Sequence, residues 1–168
     1  MSQSSLVGIA LGSNLGQPLE HITQAAQVLA RSEDFSSFNI SSAYITPPLG
    51  PSQPDYTNAV LTCKTKLPPL QLLQQLQSLE LQIGRDRSSE VRWGPRVIDL
   101  DIIFYDEISL NTATLCLPHP GFLEREFVLI PLLEIHPTLL LPNGKILKHY
   151  IQETYPHSNL KPFSKIIV

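Results

Sequence analysis

The chain has 168 residues, 42% of them hydrophobic, with a formal net charge of −3; one globular domain spanning residues 1–168 with a true core is expected, and a second domain of ordinary size is disfavoured. Charged residues make up only 16%, and an acidic average excludes a broad basic face for nucleic acid, because phosphate neutralisation needs surplus clustered cations. No basic leader precedes the first apolar run and no apolar stretch nears the roughly 20 residues of a membrane span, so a soluble cytoplasmic protein with neither membrane nor nucleic-acid partners is expected.

Taken in order, Leu6 to Leu11 is a short apolar run closed by Gly12-Ser13-Asn14-Leu15-Gly16, which reads as a buried strand ending in a tight turn; without a Gly-Lys-Ser/Thr ending it is not a Walker loop. Pro18 opens a helix reaching about Arg31, with Leu19, Ile22, Ala26 and Leu29 repeating at helical spacing. Phe38 to Ile45 has strand composition and is stopped by Thr46-Pro47-Pro48-Leu49-Gly50-Pro51, since consecutive prolines cannot donate to a ladder. Tyr56 to Thr65 resumes a strand, with Ala59, Leu61 and Cys63 on one face and Val60, Thr62 and Lys64 on the other. The two strands are placed to pair around the proline loop. Pro68-Pro69 starts the clearest helix, with a stripe of Leu72, Leu73, Leu76, Leu79 and Ile83 and Gly84 as the left-handed stop. Ile98 to Tyr105 reads as a strand, and a short helix is expected around Phe127 to Ile135. The repeated strand-helix-strand order points to an α+β protein: a ferredoxin-like antiparallel sheet with helices packed on it as a three-layer sandwich. Fifteen prolines, about twice the usual share of roughly 5%, predict many fixed corners. Cys63 and Cys116 lie in neither a Cys-x-x-Cys pair nor a zinc-spaced array and read as small apolar fillers.

The average charge hides a local asymmetry: four of the six arginines, Arg85, Arg87, Arg92 and Arg96, fall within twelve consecutive positions. Just beyond them stands Asp99-Leu100-Asp101. On a strand both carboxylates share a face, roughly 7 Å apart, while Leu100 and Ile102 point into the core. Such a pair in an apolar run needs cations. Arginines would make it a salt-bridge network, and magnesium would make it a phosphoryl-transfer site. Arg92-Trp93-Gly94-Pro95-Arg96 supplies guanidinium forks that can clamp phosphate oxygens and an aromatic plate that can stack on a planar ligand. Glu80 sits in the last turn of its helix, where the macrodipole disfavours a carboxylate unless a cation such as Arg85 or Arg87 compensates; an exposed glutamate beside arginines is the alternative. Asn58 can either read a heterocyclic edge beside Tyr56 or stabilise a turn. His119, fixed between Pro118 and Pro120, is placed to join a phosphate site, and Arg125 follows it.

In combination these motifs resemble the 6-hydroxymethyl-7,8-dihydropterin pyrophosphokinases. The likeness runs from about residue 6 to 143, with a C-terminal extension to 168, and is carried by Gly12 to Gly16, Thr46 to Pro51, Pro54-Asp55-Tyr56-Thr57-Asn58, Glu80 through Arg85, Arg92 through Asp101, Pro118-His119 and Phe127. It implies transfer of the terminal pyrophosphoryl group of ATP to the hydroxymethyl oxygen of the dihydropterin, with release of AMP, in folate biosynthesis. It further implies two magnesium ions on Asp99 and Asp101, catalytic Arg85 and Arg96, and a monomer acting on small molecules. The pterin would meet Thr46, Pro47, Leu49, Tyr56, Asn58, Trp93 and Phe127. ATP would meet Leu73, Gln77, Glu80, Arg85, Arg87, Trp93, Arg96, Ile102, His119 and Arg125. Two departures stand out: Ser88-Ser89-Glu90-Val91 lacks a lysine that some members carry, and Pro120 replaces an aromatic. No residue is assigned as general base. The competing readings are a non-catalytic ferredoxin-like module for RNA, which should expose aromatics on a basic sheet face, and a two-metal phosphate hydrolase, which should release phosphate from ATP without pterin.

Overall fold

The computed structural model describes residues 4–88, 90–91 and 94–168. β1 (Ser5–Ser13) lies inside the sheet, so its side chains alternate between two buried faces. α1 (Pro18–Arg31) opens on proline, whose fixed φ suits a first helical turn, and buries Ile22, Ala25, Ala26 and Leu29. β2 (Phe35–Ile40), β3 (Ala43–Thr46) and β4 (Tyr56–Thr65) follow. α2 (Pro69–Ile83) stops at Gly84, whose φ of +111° is the left-handed conformation that glycine adopts without strain. β5 (Asp99–Tyr105), the short pair β6 (Leu110–Asn111) and β7 (Cys116–Leu117), and a one-turn 3-10 helix (Phe122–Glu124) lead into α3 (Glu126–Ile135). α4 (Leu147–Thr154) and β8 (Pro162–Ser164) complete the chain.

The main sheet has the order β5-β1-β4-β3-β8, with β2 also on β4, and each described pairing is antiparallel. One core gathers Val7, Ile9, Leu11, Leu61, Leu100 and Ile102 under α1 and α2; a second gathers Val60, Ile103, Phe104, Leu129 and Leu132 with α4's Leu147 and Ile151. Helices on both faces of an antiparallel sheet make the ferredoxin-like three-layer sandwich. Among the described residues no helix is long and apolar enough to cross a membrane.

Three details differ from the sequence reading. The strand expected over Phe38–Ile45 is two strands, β2 and β3, broken at Ser41 and Ser42. The ladder survives the break because Ser41 N–H donates to Val60 O and Val60 N–H donates to Ser41 Oγ. In β5 the alternation slips at a register shift opposite Gly8 and Ile9, so Ile103 and Phe104 both enter the second core. Beyond Asn143, α4 and β8 form where no element was expected, one closing the second core and the other pairing with β3.

Candidate active site

β1 runs antiparallel to both neighbours, so its C-terminal end meets the beginnings of β4 and β5. Gly12 stands opposite Asn58 and Asp99, and Ala10 opposite Val60 and Asp101. Directly opposed residues share a face, so Asp99, Asp101 and Asn58 all project on the α3 side, with only glycine and alanine between them. That row of small residues floors a cavity of about 310 Å³, in the size range of small-molecule sites.

One half of the cavity is neutral. Thr46, Pro47 and Leu49 from the proline loop, Tyr56 and Asn58 from β4, and Phe127 and Val128 from the first turn of α3 line it. Asn58 is 6% exposed and donates from Nδ2 to Thr46 Oγ1 at 2.8 Å. Tyr56 OH donates to Gly94 O at 3.1 Å, and burial raises its pKa. Behind this half, Glu134 of α3 grips β3: it accepts from Ser42 N–H, Ser42 Oγ at 2.9 Å and Tyr44 OH at 2.7 Å. Burial and that carboxylate together push the Tyr44 hydroxyl up, so it remains a donor.

The other half is ionic. Arg85, 6% exposed, reaches Glu80 Oε1, Asp99 Oδ1 and Glu90 Oε1, each at 2.6 Å. Glu80 is 1% exposed, takes Arg87 on Oε2 and accepts the Leu100 N–H at 2.7 Å. Burial raises the Glu80 carboxyl pKa, against the pull of that N–H and of Arg85. Burial alone would weaken the charge on Arg85, but Glu90, Asp99 and Glu80 outweigh it and raise its pKa. Among the described residues Asp101 has no cation so close: Arg125 Nη1 and His119 Nε2 both stand 3.9 Å from its Oδ2. Burial, then the neighbouring Asp99, raise its pKa. Burial and then Arg125 push His119 down to about 4. Its Nδ1 accepts from Gly121 N–H at 3.0 Å, so the neutral ring carries its proton on Nε2, toward Asp101. Arg125 also lies over Phe127, 5.9 Å from the ring centre, and Gly121 leaves it room: a Cβ there would come 2.5 Å from Arg125 Nε.

Asn14, 3% exposed, binds the two halves together. Its Oδ1 accepts from Arg96 N–H, its own N–H donates to Arg96 O, and its Nδ2 donates to Gln53 Oε1 and Pro54 O. Ser13 Oγ, at 2.5 Å, and His21 Nδ1, at 3.1 Å, meet on Val97 O. The arginine segment is thereby fixed to the end of β1.

Asp99 and Asp101 keep 37% and 39% of their side chains accessible and both line the cavity. Two hard-oxygen carboxylates on one strand face suit magnesium, which typically uses one or two carboxylates and completes its shell with water and phosphate oxygens. Among the described residues no cluster of three or more His, Cys, Asp or Glu could cage a metal, in keeping with so open a site.

The model of the 7,8-dihydro-6-hydroxymethylpterin-pyrophosphokinase family matches residues 8–137, which hold every described residue of this cavity. The chain belongs to this family. It is an ATP-dependent pyrophosphokinase of folate biosynthesis, transferring a pyrophosphoryl group to the dihydropterin. It is similar to the Haemophilus influenzae 2-amino-4-hydroxy-6-hydroxymethyldihydropteridine pyrophosphokinase, 41% identical over 154 residues covering 91% of this chain and 95% of the relative. The Pseudomonas aeruginosa protein of the same name is 44% identical over 140 residues, covering 83% and 85%. The Plasmodium falciparum HPPK-DHPS structure with pteroate shares the fold at a TM-score of 0.71 and 14% identity, over 96% of this chain and 46% of that one; the chain spans about half the length of that solved protein.

Of the residues expected in this pyrophosphokinase site, the structure brings Thr46, Pro47, Leu49, Tyr56, Asn58, Arg96, Asp99, Asp101, Arg125 and Phe127 to one cavity. Glu80, Arg85 and Arg87 form the ionic network beside it, and His119 flanks Asp101. Leu73 and Gln77 are half-buried on α2, outside the cavity lining, and the Ile102 side chain lies in the core under α2. The alternative of an exposed Glu80 is replaced by a buried, doubly paired one. Asn58 sits in a strand and not in a turn. Trp93 and Arg92 lie outside the described residues. Sequence reasoning missed Glu90, Asn14 and Glu134; Asn14 and Glu134 act through partners far away in sequence, their local sign being a polar residue amid glycine-rich or apolar neighbours, whereas Glu90 is paired within its own loop, to Arg85 and Arg96.

Proposed function

We propose that the neutral half of the cavity seats the dihydropterin, with its ring between Tyr56 and Phe127, and that the ionic half holds the phosphates of ATP. Asn58 is placed to meet the pterin's hydrogen-bonding edge and is kept in one orientation by its bond to Thr46. The observation that carries the assignment is that Asp99 and Asp101 open into the same cavity as Thr46, Asn58 and Phe127. The hydroxymethyl group and the phosphates therefore meet at one floor.

Two magnesium ions on Asp99 and Asp101 would neutralise phosphate charge and hold the β-phosphorus in line for attack. The protein's own part is orientation and electrostatics. The pterin oxygen forms a bond to the β-phosphorus, the bond from that phosphorus to the α–β bridging oxygen breaks, AMP leaves, and the hydroxyl proton passes to solvent. Arg96 lines the cavity and Arg85 stands behind Asp99, so both can offset the charge that grows on the departing AMP. His119, neutral at physiological pH, can donate from Nε2 to a phosphate oxygen without adding a competing charge. The described residues of one chain supply all these groups, which supports a single-domain monomer as the working unit.

The test is product identity. With ATP, magnesium and the hydroxymethyl dihydropterin, AMP must form, and only when pterin and metal are both present. ADP as product would refute pyrophosphoryl transfer, and phosphate release without pterin would favour the hydrolase.

A further inference from the structure

Glu90 belongs to neither the metal site nor the pterin pocket, yet it touches both arginines assigned to phosphate. Its Oε1 lies 2.6 Å from Arg85 Nε and its Oε2 3.0 Å from Arg85 Nη2, a two-pronged pairing. The same Oε2 lies 2.9 Å from Arg96 Nη1. That second approach is an ion pair only: Arg96 Nη1 is buried and finds no hydrogen-bond acceptor among the described residues. Arg85 thus has three carboxylates around one positive charge, Glu80, Glu90 and Asp99, whereas Arg96 has Glu90 and an unspent N–H. Glu80 is locked by Arg87 and the Leu100 N–H, and Asp99 faces the cavity. Glu90 is the carboxylate of the set with no other described role.

One carboxylate bridging two guanidinium groups mimics a phosphoryl group, which presents the same oxygen pairs to the same forks. We propose that Glu90 is a stand-in anion: without nucleotide it holds Arg85 and Arg96 side by side, and the phosphates of ATP displace it when they arrive. It is a positioning residue that sets nucleotide affinity. Filling the gap offsets the repulsion between two like charges and holds the Arg96 fork beside Arg85, which Glu80 and Asp99 already anchor. The cost falls on binding, since each ATP must first remove a bound carboxylate. The inference rests on the assignment of Arg85 and Arg96 to phosphates.

Glu90→Gln keeps the shape and removes the charge. In the full chain, dissociation constants for a methylene-bridged ATP analogue and for inorganic tripolyphosphate, both with magnesium, should fall about tenfold. KM for ATP should fall with them, the salt dependence of nucleotide binding should steepen, and KM for the pterin should stay as it was. Glu90→Asp, which keeps the charge, should remain near wild type, and thermal melts establish that each variant is folded. A merely structural Glu90 would instead loosen the loop and weaken nucleotide binding. Unchanged or weaker affinity in Glu90→Gln, while Arg96→Ala also loses affinity, overturns the Glu90 role alone. Full affinity in Arg96→Ala overturns the arginine assignment and this inference with it.

Discussion

Around Thr46, Asn58 and Phe127 the cavity is bounded by neutral groups, Asn58 already holding Thr46, whereas on its other side Asp99 and Arg96 tie it to a network of Arg85, Glu80 and Glu90 whose charges hold one another. The neutral wall is held by backbone and side-chain bonds that a ligand need not break, so on the proposed assignment a pterin would meet a preformed slot. The ionic wall would, on the same assignment, exchange partners before serving a nucleotide. Both are fixed to the same three strand ends, so the contrast lies in what each wall must give up on binding. Pterin recognition should therefore follow shape and hydrogen bonding, and nucleotide recognition should follow electrostatics.

The most severe break in that contrast is at its boundary. Asp99→Ala and Asp101→Ala should each lower kcat by about a thousandfold or more while the melting curve stays cooperative; near-native turnover in either would show that the paired carboxylates are not the metal site. Next comes the ionic wall itself. Glu80→Ala removes a buried partner from two arginines and should cost about 3 kcal/mol, a drop in melting temperature of roughly 6–12 °C, together with lost turnover. A drop no larger than that of an exposed glutamate such as Glu153 would mean that the network adds nothing to the fold.

On the neutral side, Asn58→Ala should raise KM for the pterin about tenfold, through a lost edge contact and an unpaired Thr46, and leave KM for ATP alone. Equal effects on both substrates would erase the distinction between the walls. Ionic strength sharpens it without mutation: between about 0.05 and 0.5 M salt, where screening lengths shrink well below the cavity's own dimensions, affinity for ATP should fall several-fold and that for the pterin should hold. The smallest effect is on pH. The folded pKa of His119, about 4, lies below its ordinary 6.5, so the unfolded chain takes up the proton first. Its stabilising contribution is complete above pH 6.5 and is lost as pH falls through that value toward 4. His119→Gln should flatten this part of the stability profile, by no more than the ~3 kcal/mol that such a shift represents, measured by denaturant titration across that range.

What the sequence disclosed follows the reach of each interaction. α1, α2, β4 and β5 were legible because their cores are built by residues at helical or alternating spacing, such as Ile22 with Leu29 and Leu100 with Ile102. Asp99 and Asp101 were legible for the same reason, since two positions on a strand must share a face. The break at Ser41 was not, because it depends on a serine hydroxyl meeting Val60, 19 positions away. α4 contributes Leu147 and Ile151 to a core whose sheet wall, Val60, Ile103 and Phe104, lies more than 40 residues earlier, and β8 exists only because β3 offers it an edge. Glu90 carries no spacing signal of its own in Ser88-Ser89-Glu90-Val91; its pairing appears only when Arg96 folds back beside Arg85.

The pairing of β8 with β3 has a consequence for solubility. β3 carries Ile45 on an exposed face and would otherwise end the sheet with a row of unsatisfied backbone groups, the kind of border on which stray chains polymerise. β8 covers it and is a poor template in its turn, being three residues long and headed by Pro162, which offers no N–H. Shortening the chain ahead of Pro162 would turn a protected border into an adhesive one, within a few residues of the proline loop that lines the cavity.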